Sequence, residues 1–381
     1  MPAGLAEVLA TFGPAYLASH ELPRGAAKVW RAILACRTAA LGGHVESCAE
    51  CGTSRHVYHS CRNRHCPRCQ TQAKEAWLAA RRREVLPVPY FHLVFTLPHA
   101  LNGLIGVVPR RLYENLFAAA SATLSEFAGS PRHLGGMPAF SLVLHTWKQD
   151  LGRHVHVHAL VAGGALSDTG EWISPKKGFL FPVRALSKVF RGKFMAGLDH
   201  LHQQGQLPDA LDPAAWQTLK HTLHAHDWVV YAKQALGGPQ AVLDYLGRYT
   251  HRVAISNERI VGIENGRVAF RVRADTEGKK RVLYLPGQEF IARFLLHVLP
   301  GGFKRIRHYG LLSPARKQVG LAAARSALAA PSPEAAVIES VADFMRRIRR
   351  QASQCCPHCG GLFQVTASLL PQRGIMVRGP P

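Results

Sequence analysis

The chain has 381 residues, which at roughly 150 residues per domain makes two or three structural units and leaves ample length for a core. Its 47% hydrophobic and 19% charged residues exclude disordered, collagen-like and coiled-coil classes. Lys and Arg total 47 against 24 Asp and Glu, a net charge of +23 and a pI near 10.2, so the expected partner is a polyanion, either nucleic acid or an acidic membrane surface.

The N-terminus, MPAGLAEVLATFGPAYL, has no basic residues ahead of its apolar ones and carries Glu7, so it does not read as a secretory signal and a cytoplasmic location is expected. Residues 1–43 read as a helical segment, with Leu5, Val8, Leu9 and Phe12, then Val29, Trp30, Ile33 and Leu34, at spacings of three and four. Residues 44–84 form the next unit. Five of the nine cysteines and four histidines (His44, His56, His59, His65) fall between 44 and 69; in a reducing compartment such cysteines read as metal ligands or inert thiols rather than disulfides.

Cys48 and Cys51 make one CxxC pair; fourteen residues later Cys66 and Cys69 make another. Tetrahedral Zn²⁺ takes four soft donors, and each pair brings two thiolates to one side of the ion. These four are therefore the expected structural zinc ligands, with Cys61, His65, His59 and His44 left over. Zinc would hold together a segment with little apolar material, and Arg55, Arg62, Arg64 and Arg68 would give it a basic face for phosphates. A short helix follows from Thr71 to Glu84.

Val85 to Pro109 is the longest uncharged stretch, but four prolines and His92, His99 and Asn102 exclude a membrane span. Tyr90–Leu97 reads as a strand and Arg111–Phe127 as a helix, followed by strands at Phe140–Trp147 and His154–Ala162. In the last of these, His154, His156 and His158 share one face while Val155, Val157 and Ala159 face a core. Two such imidazoles can chelate one divalent ion. Gln149 offers an oxygen donor suited to Mg²⁺ or Mn²⁺, with Asp150 and His92 as alternatives. Helices are expected at Phe181–Leu198, Ala214–His224 and Gln240–Tyr249, with a short strand at Trp228–Lys233.

If Asp244 to Arg252 is helical, Tyr245 and Tyr249 stand on one face at i and i+4. Arg248 and Arg252 accompany them, and cations beside a phenol lower the cost of ionising it for attack on phosphate. Ala254–Arg273 reads as a hairpin turning at Glu264-Asn265-Gly266. Between Phe290 and Pro333 there are seven Lys or Arg and no acid. There Lys304, Arg305, Arg307, His308, Arg316 and Lys317 interleave with Phe303 and Tyr309, a pattern suited to single-stranded nucleic acid. The last segment, 329–381, holds a linker, a basic helix at Ala335–Arg350 and the pair Cys356/Cys359 beside Cys355, half a zinc knuckle that must borrow ligands or stay empty.

In this order, the pieces CRNRHCPRCQ (61–70), YFHLVFTLP (90–98), HVHVHALVAGG (154–164), YLGRYTHRVAIS (245–256) and IRHYGLL (306–312) make the chain resemble the two-tyrosine HUH transposases of bacterial rolling-circle insertion sequences, the family founded by insertion sequence 91. The resemblance runs from about Val45 to Cys359. It implies an α+β HUH endonuclease fold over 85–328, a central antiparallel sheet flanked by helices, preceded by the small zinc-binding, DNA-binding ribbon domain. It implies His156 and His158 as ligands of a catalytic Mg²⁺ or Mn²⁺, with Gln149 as third, and Tyr245 and Tyr249 as nucleophiles that cleave and rejoin single-stranded transposon ends through a 5′-phosphotyrosine. A bacterial, nucleoid-associated location follows. Competing readings are a replication initiator or relaxase of the same chemistry, a non-catalytic zinc-ribbon DNA-binding protein, and a small-molecule metallohydrolase, against which the charge argues.

Overall fold

The computed structural model describes residues 3–176, 180–208, 211–234, 254–273, 279–332 and 355–372, with the single positions 241 and 247. Helices α1 (Leu5–Ser19) and α2 (Arg24–Ala35) lead into strands β1 (Gly43–Cys48) and β2 (Ser54–Tyr58) and helix α3 (Pro67–Arg82). Strand β3 (Tyr90–Thr96) precedes α4 (Asn102–Val107) and α5 (Pro109–Gly129), then β4 (Met137–Trp147), β5 (Arg153–Leu166) and the short β6 (Trp172–Ile173). Helices α6 (Val183–Gln203) and α7 (Pro213–His224) lead to β7 (Val230–Gln234), then β8 (Ile260–Glu264), β9 (Arg267–Arg273) and β10 (Lys280–Pro286). Helix α8 (Gly287–Leu295), β11 (Ile306–Gly310), α9 (Lys317–Ala327) and β12 (Phe363–Leu369) complete the described chain. The fold is α+β, as expected.

The central sheet has the order β11-β4-β5-β3-β7, with β6 beside β5, and these neighbours pair antiparallel. Alternation along β5 decides its two faces. Val155, Val157, Ala159 and Val161 join Phe91, Leu93, Phe95, Leu142 and Leu144 in the largest core, beneath α5 and α6. Burying a side chain of this kind is worth about 1.5–3 kcal/mol, so a one-residue slip of β5 would expose the whole row and bury the histidines instead. The opposite face is divided along its length. Leu160, Ala162, Tyr90 and Ala139 pack with Leu321 and Ala324 of α9, which leaves the stretch from His154 to His158 on the same face to form a polar site.

Two further sheets flank this one. In β10-β9-β8, the β8–β9 turn uses Asn265 (φ 48) and Gly266 (φ 73), the positive φ values that the Asn-Gly pair adopts readily. The expected hairpin therefore forms, though β8 begins only at Ile260 and β10, which the sequence reading missed, adds a third strand. Leu5, Leu9, Trp30 and Ile33 of the N-terminal helices pack with Phe270, Phe290 and Phe294 of this unit.

The remaining sheet has the order β12-β1-β2. Its outer strand comes from the far end of the chain, so the C-terminal tail returns to the zinc-binding segment and pairs antiparallel with β1. The basic helix expected at 335–350 lies outside the described residues. Among the described residues no helix is long and apolar enough to cross a membrane.

Candidate functional site

Antiparallel pairing sets His145 of β4 opposite His156 of β5 and places Val143 opposite His158. His145, His156 and His158 thus share one face, and one nitrogen from each ring lies within 4.8 Å of the others. The Nε2 atoms of His156 and His158 are 3.0 Å apart. Their other nitrogens are engaged: His156 Nδ1 lies 3.0 Å from the His154 carbonyl, and His158 Nδ1 lies 2.8 Å from His92 Nε2 of β3. A proton on each Nδ1 leaves the Nε2 lone pairs facing inward, the tautomer that a metal ligand needs.

Burial, first, and the neighbouring imidazoles, second, hold both rings in the neutral form: His156 is pushed down to about 4, and His158 well below its ordinary value. Three imidazoles without a carboxylate among them fit a transition ion better than Mg²⁺, which prefers oxygen.

Gln149, the expected third ligand, stands on the exposed turn beyond β4, where its backbone carbonyl accepts a hydrogen bond from Arg259. The group that the sheet brings to the pair is His145 instead. Nothing in the sequence around His145 distinguishes it from an ordinary strand histidine; its role depends on the β4–β5 register. His154 is half-buried and bonded through Nδ1 to His99 Nε2 at 3.2 Å, and it reaches the site through its carbonyl. Tyr245, Tyr249, Arg248 and Arg252 lie outside the described residues.

The expected zinc quartet is divided. Cys66 and Cys69 gather with Cys36 and Cys61, whereas Cys48 and Cys51 gather with Cys356 and Cys359. The CxxC spacing identified the pairs correctly as pairs, but their partners depend on tertiary folding: α2 brings Cys36, and β12 brings the C-terminal two. In the first cluster the Sγ separations Cys36–Cys69 and Cys61–Cys69 are 3.5 and 3.6 Å, close to the edge of about 3.8 Å in a tetrahedron with Zn–S near 2.3 Å. The hydrogen bond from Cys66 pulls Cys61 down to about 5, while burial pushes Cys36 up to about 11. Four crowded thiols that cannot all ionise alone fit a divalent cation, which removes the protons on binding.

The basic segment is largely occupied by packing. Arg305 is 7% exposed, and burial, followed by the charge of Arg64, pushes it down to about 9. Arg307 lies over the rings of Phe117 and Phe303 at 4.3 and 5.1 Å. His308 bonds Ser141 Oγ at 2.7 Å and accepts from Arg81 at 2.9 Å; burial, with Arg81, pushes it down to about 4. Lys317 donates to Glu84 at 2.8 Å. Lys304 and Arg316 remain exposed. The interleaved pattern that suggested a nucleic-acid groove falls on an edge strand, β11, whose five residues are all half-buried, and on its flanks.

Comparison with known proteins adds the following. Residues 8–97 match a family described as a transposase zinc-binding domain, and residues 139–319 match one described as putative transposase. The putative transposase y4qJ of Sinorhizobium fredii is 42% identical over 99% of this chain and 97% of its own. The transposase for insertion sequence element IS801 of Pseudomonas savastanoi pv. phaseolicola is 27% identical over 74% of this chain and 68% of its own. Among solved structures, the conjugative relaxase TrwC in complex with oriT DNA, metal-bound, aligns with 65% of this chain and 96% of its own, at 12% identity and a TM-score of 0.25.

Proposed function

Because the chain belongs to the insertion sequence 91 family of rolling-circle transposases, and so is a transposase that acts on DNA and carries structural zinc, we propose that its histidine centre cuts and rejoins single-stranded transposon ends by HUH chemistry. The observation that carries this reading is the convergence of His145, His156 and His158 on one face of the central sheet.

In this reading His156, His158 and His145 hold a divalent ion, Mn²⁺ or Mg²⁺, which when bound polarises the scissile phosphate and offsets the charge that develops on it. His92 and the His154 carbonyl keep the two β5 rings turned inward. Tyr245 or Tyr249, assigned from the family resemblance, attacks the phosphorus in line. The new bond joins the phenolic oxygen to the 5′ phosphate; the bond to the 3′ oxygen breaks, and that oxygen leaves as a hydroxyl after taking up a proton. The energy of the broken linkage is retained for rejoining, and a second tyrosine allows a second strand to be cut before the first link is resolved. Arg248 and Arg252 stabilise charge near the phosphate, while the exposed Lys304 and Arg316 contact backbone.

The test is covalent capture. The full-length protein incubated with single-stranded end DNA and Mn²⁺ gives a denaturation-resistant protein–DNA band. The Tyr245→Phe/Tyr249→Phe double variant, equally folded by circular dichroism, gives none, and His156→Ala gives none at any Mn²⁺ concentration that supports the wild type. A band of undiminished strength in the double variant would falsify the assignment of the tyrosines.

A further inference from the structure

The zinc-binding match ends at residue 97 and so contains neither Cys356 nor Cys359. We propose that the chain holds a second structural zinc through Cys48, Cys51, Cys356 and Cys359, and that this ion fastens the C-terminal strand β12 to the N-terminal sheet.

Three observations support this. First, the four Sγ atoms lie within 4.8 Å of one another. The contacts that cross the chain are Cys48–Cys359 at 3.4 Å and Cys51–Cys356 at 3.5 Å, again near the edge of a tetrathiolate site.

Second, the two CxxC turns have the same backbone. In one, Cys48 N–H donates to Thr53 O at 2.9 Å and Gly52 N–H to Cys48 O at 3.0 Å; in the other, Cys356 N–H donates to Gly361 O at 2.7 Å and Gly360 N–H to Cys356 O at 2.9 Å. Gly52 and Gly360 take φ values of 71 and 79, the left-handed conformation that glycine adopts without steric cost. Two copies of one turn, 308 positions apart (48 to 356), meet sulfur to sulfur. A Cβ on Gly361 would lie 3.0 Å from Cys48 Sγ and 2.6 Å from Glu50 Cγ, so the turns approach as closely as a bare backbone permits.

Third, β12 has little else to hold it. Gln364 to Ser368 are exposed along the strand, and Val365 is 65% exposed. Its attachments among the described residues include the ladder to β1, the Arg55 guanidinium 4.0 Å over the Phe363 ring, a Ser47–Thr366 hydroxyl contact at 3.1 Å and the Thr366 hydroxyl donating to the Val45 carbonyl at 3.4 Å. An edge strand that buries so little apolar surface is marginal in water, whereas a tetrathiolate zinc contributes its binding energy directly to the folded pairing. The ligand is therefore a divalent, thiophilic cation, and its role is to clasp one end of the chain to the other.

Zinc content of the purified full-length protein, measured by plasma mass spectrometry, should be two per chain, and one in Cys356→Ser/Cys359→Ser. Hydrogen exchange in that variant should speed the amides of β12 by at least tenfold while leaving those of β5 unchanged. Should the variant fail to fold, cobalt titration of the metal-stripped wild-type chain supplies the count: the thiolate-to-cobalt absorption should saturate at two equivalents. Saturation at one equivalent, or a variant that retains two zincs, overturns the site. Unaltered β12 exchange in a one-zinc variant overturns the clasp.

Discussion

The His158 ring is gripped at both nitrogens: Nε2 faces His156 at 3.0 Å, and Nδ1 faces His92 Nε2 at 2.8 Å. If Nε2 is to present its lone pair to an ion, Nδ1 must donate, and His92 is the acceptor that makes this tautomer the favoured one. Losing such an outer partner typically weakens metal affinity by about 10–100-fold without removing a ligand. We expect His92→Ala to bind Mn²⁺ more weakly by that factor, read from the free-ion electron paramagnetic resonance signal in a titration of the full-length chain, and His92→Gln, whose amide oxygen also accepts, to recover most of the loss. Equal affinity in His92→Ala would leave the ring with no supporting role. At this scale the sequence is informative wherever chemistry follows local spacing. The alternation of β5 placed His156 and His158 together, and CxxC spacing paired the cysteines. It is silent wherever a partner arrives across a sheet: His145 depends on the register of β4 with β5, and Cys36 on the packing of α2.

Elements were most legible where periodicity and length agreed. Strands β3, β4 and β5 and helices α5, α6 and α7 lie within a few residues of their expected bounds; the strands carry long buried apolar runs, and α5 and α6 bury apolar residues at helical spacing. Strands β10 and β12 were missed because each is exposed at five of its seven residues; the alternation of Phe363, Val365, Ala367 and Leu369 with polar residues in β12 is short and faces no deep core. The junction between elements is also invisible in sequence, and His297 illustrates it. Just beyond α8 it is 1% exposed; its Nε2–H donates to the Leu151 carbonyl at 2.9 Å and its Nδ1 meets the Thr146 hydroxyl at 3.1 Å, tying α8 to the turn between β4 and β5. Burial pushes it down to about 4 from 6.5. As pH falls the unfolded chain takes the proton first, so this contribution to stability is complete above pH 6.5, declines between 6.5 and 4, and is level below. Between pH 7 and pH 5 the wild type should lose about 2 kcal/mol through this residue. His297→Gln, less stable at pH 7, should lose correspondingly less, as read from urea midpoints; acid release of zinc affects both proteins and cancels in the difference. Identical pH slopes would mean that His297 is not buried neutral.

For the whole molecule, an excess of 23 positive charges is informative only once each cation's surroundings are known. Arg305 is buried, Arg307 is stacked on Phe117 and Phe303, and Lys317 is paired with Glu84, so the acid-free segment that looked most like a phosphate grip contributes less free charge than its composition suggests. The exposed charge gathers elsewhere. Arg24, Lys28 and Arg31 are exposed on α2 at i, i+4 and i+7, hence on one face. Arg37, Arg62 and Arg68 are exposed beside the first cysteine cluster, with Arg68 donating to the Cys36 carbonyl at 3.0 Å. A backbone grip there reports itself through salt: each phosphate contact on a single strand contributes roughly 0.7 to the slope of log affinity against log salt. Replacing Arg24, Lys28 and Arg31 by alanine should therefore flatten that slope by roughly 2 in fluorescence anisotropy with single-stranded DNA, at nearly unchanged thermal stability. Lys317→Ala should leave the slope alone and cost a fraction of a kcal/mol in stability, since its partner Glu84 is 14% exposed while the lysine itself is 39% exposed and solvent screens the pair. The opposite result, a slope set by Lys317 and indifferent to α2, would return the DNA contact to the β11 segment and require that segment to unpack when DNA binds.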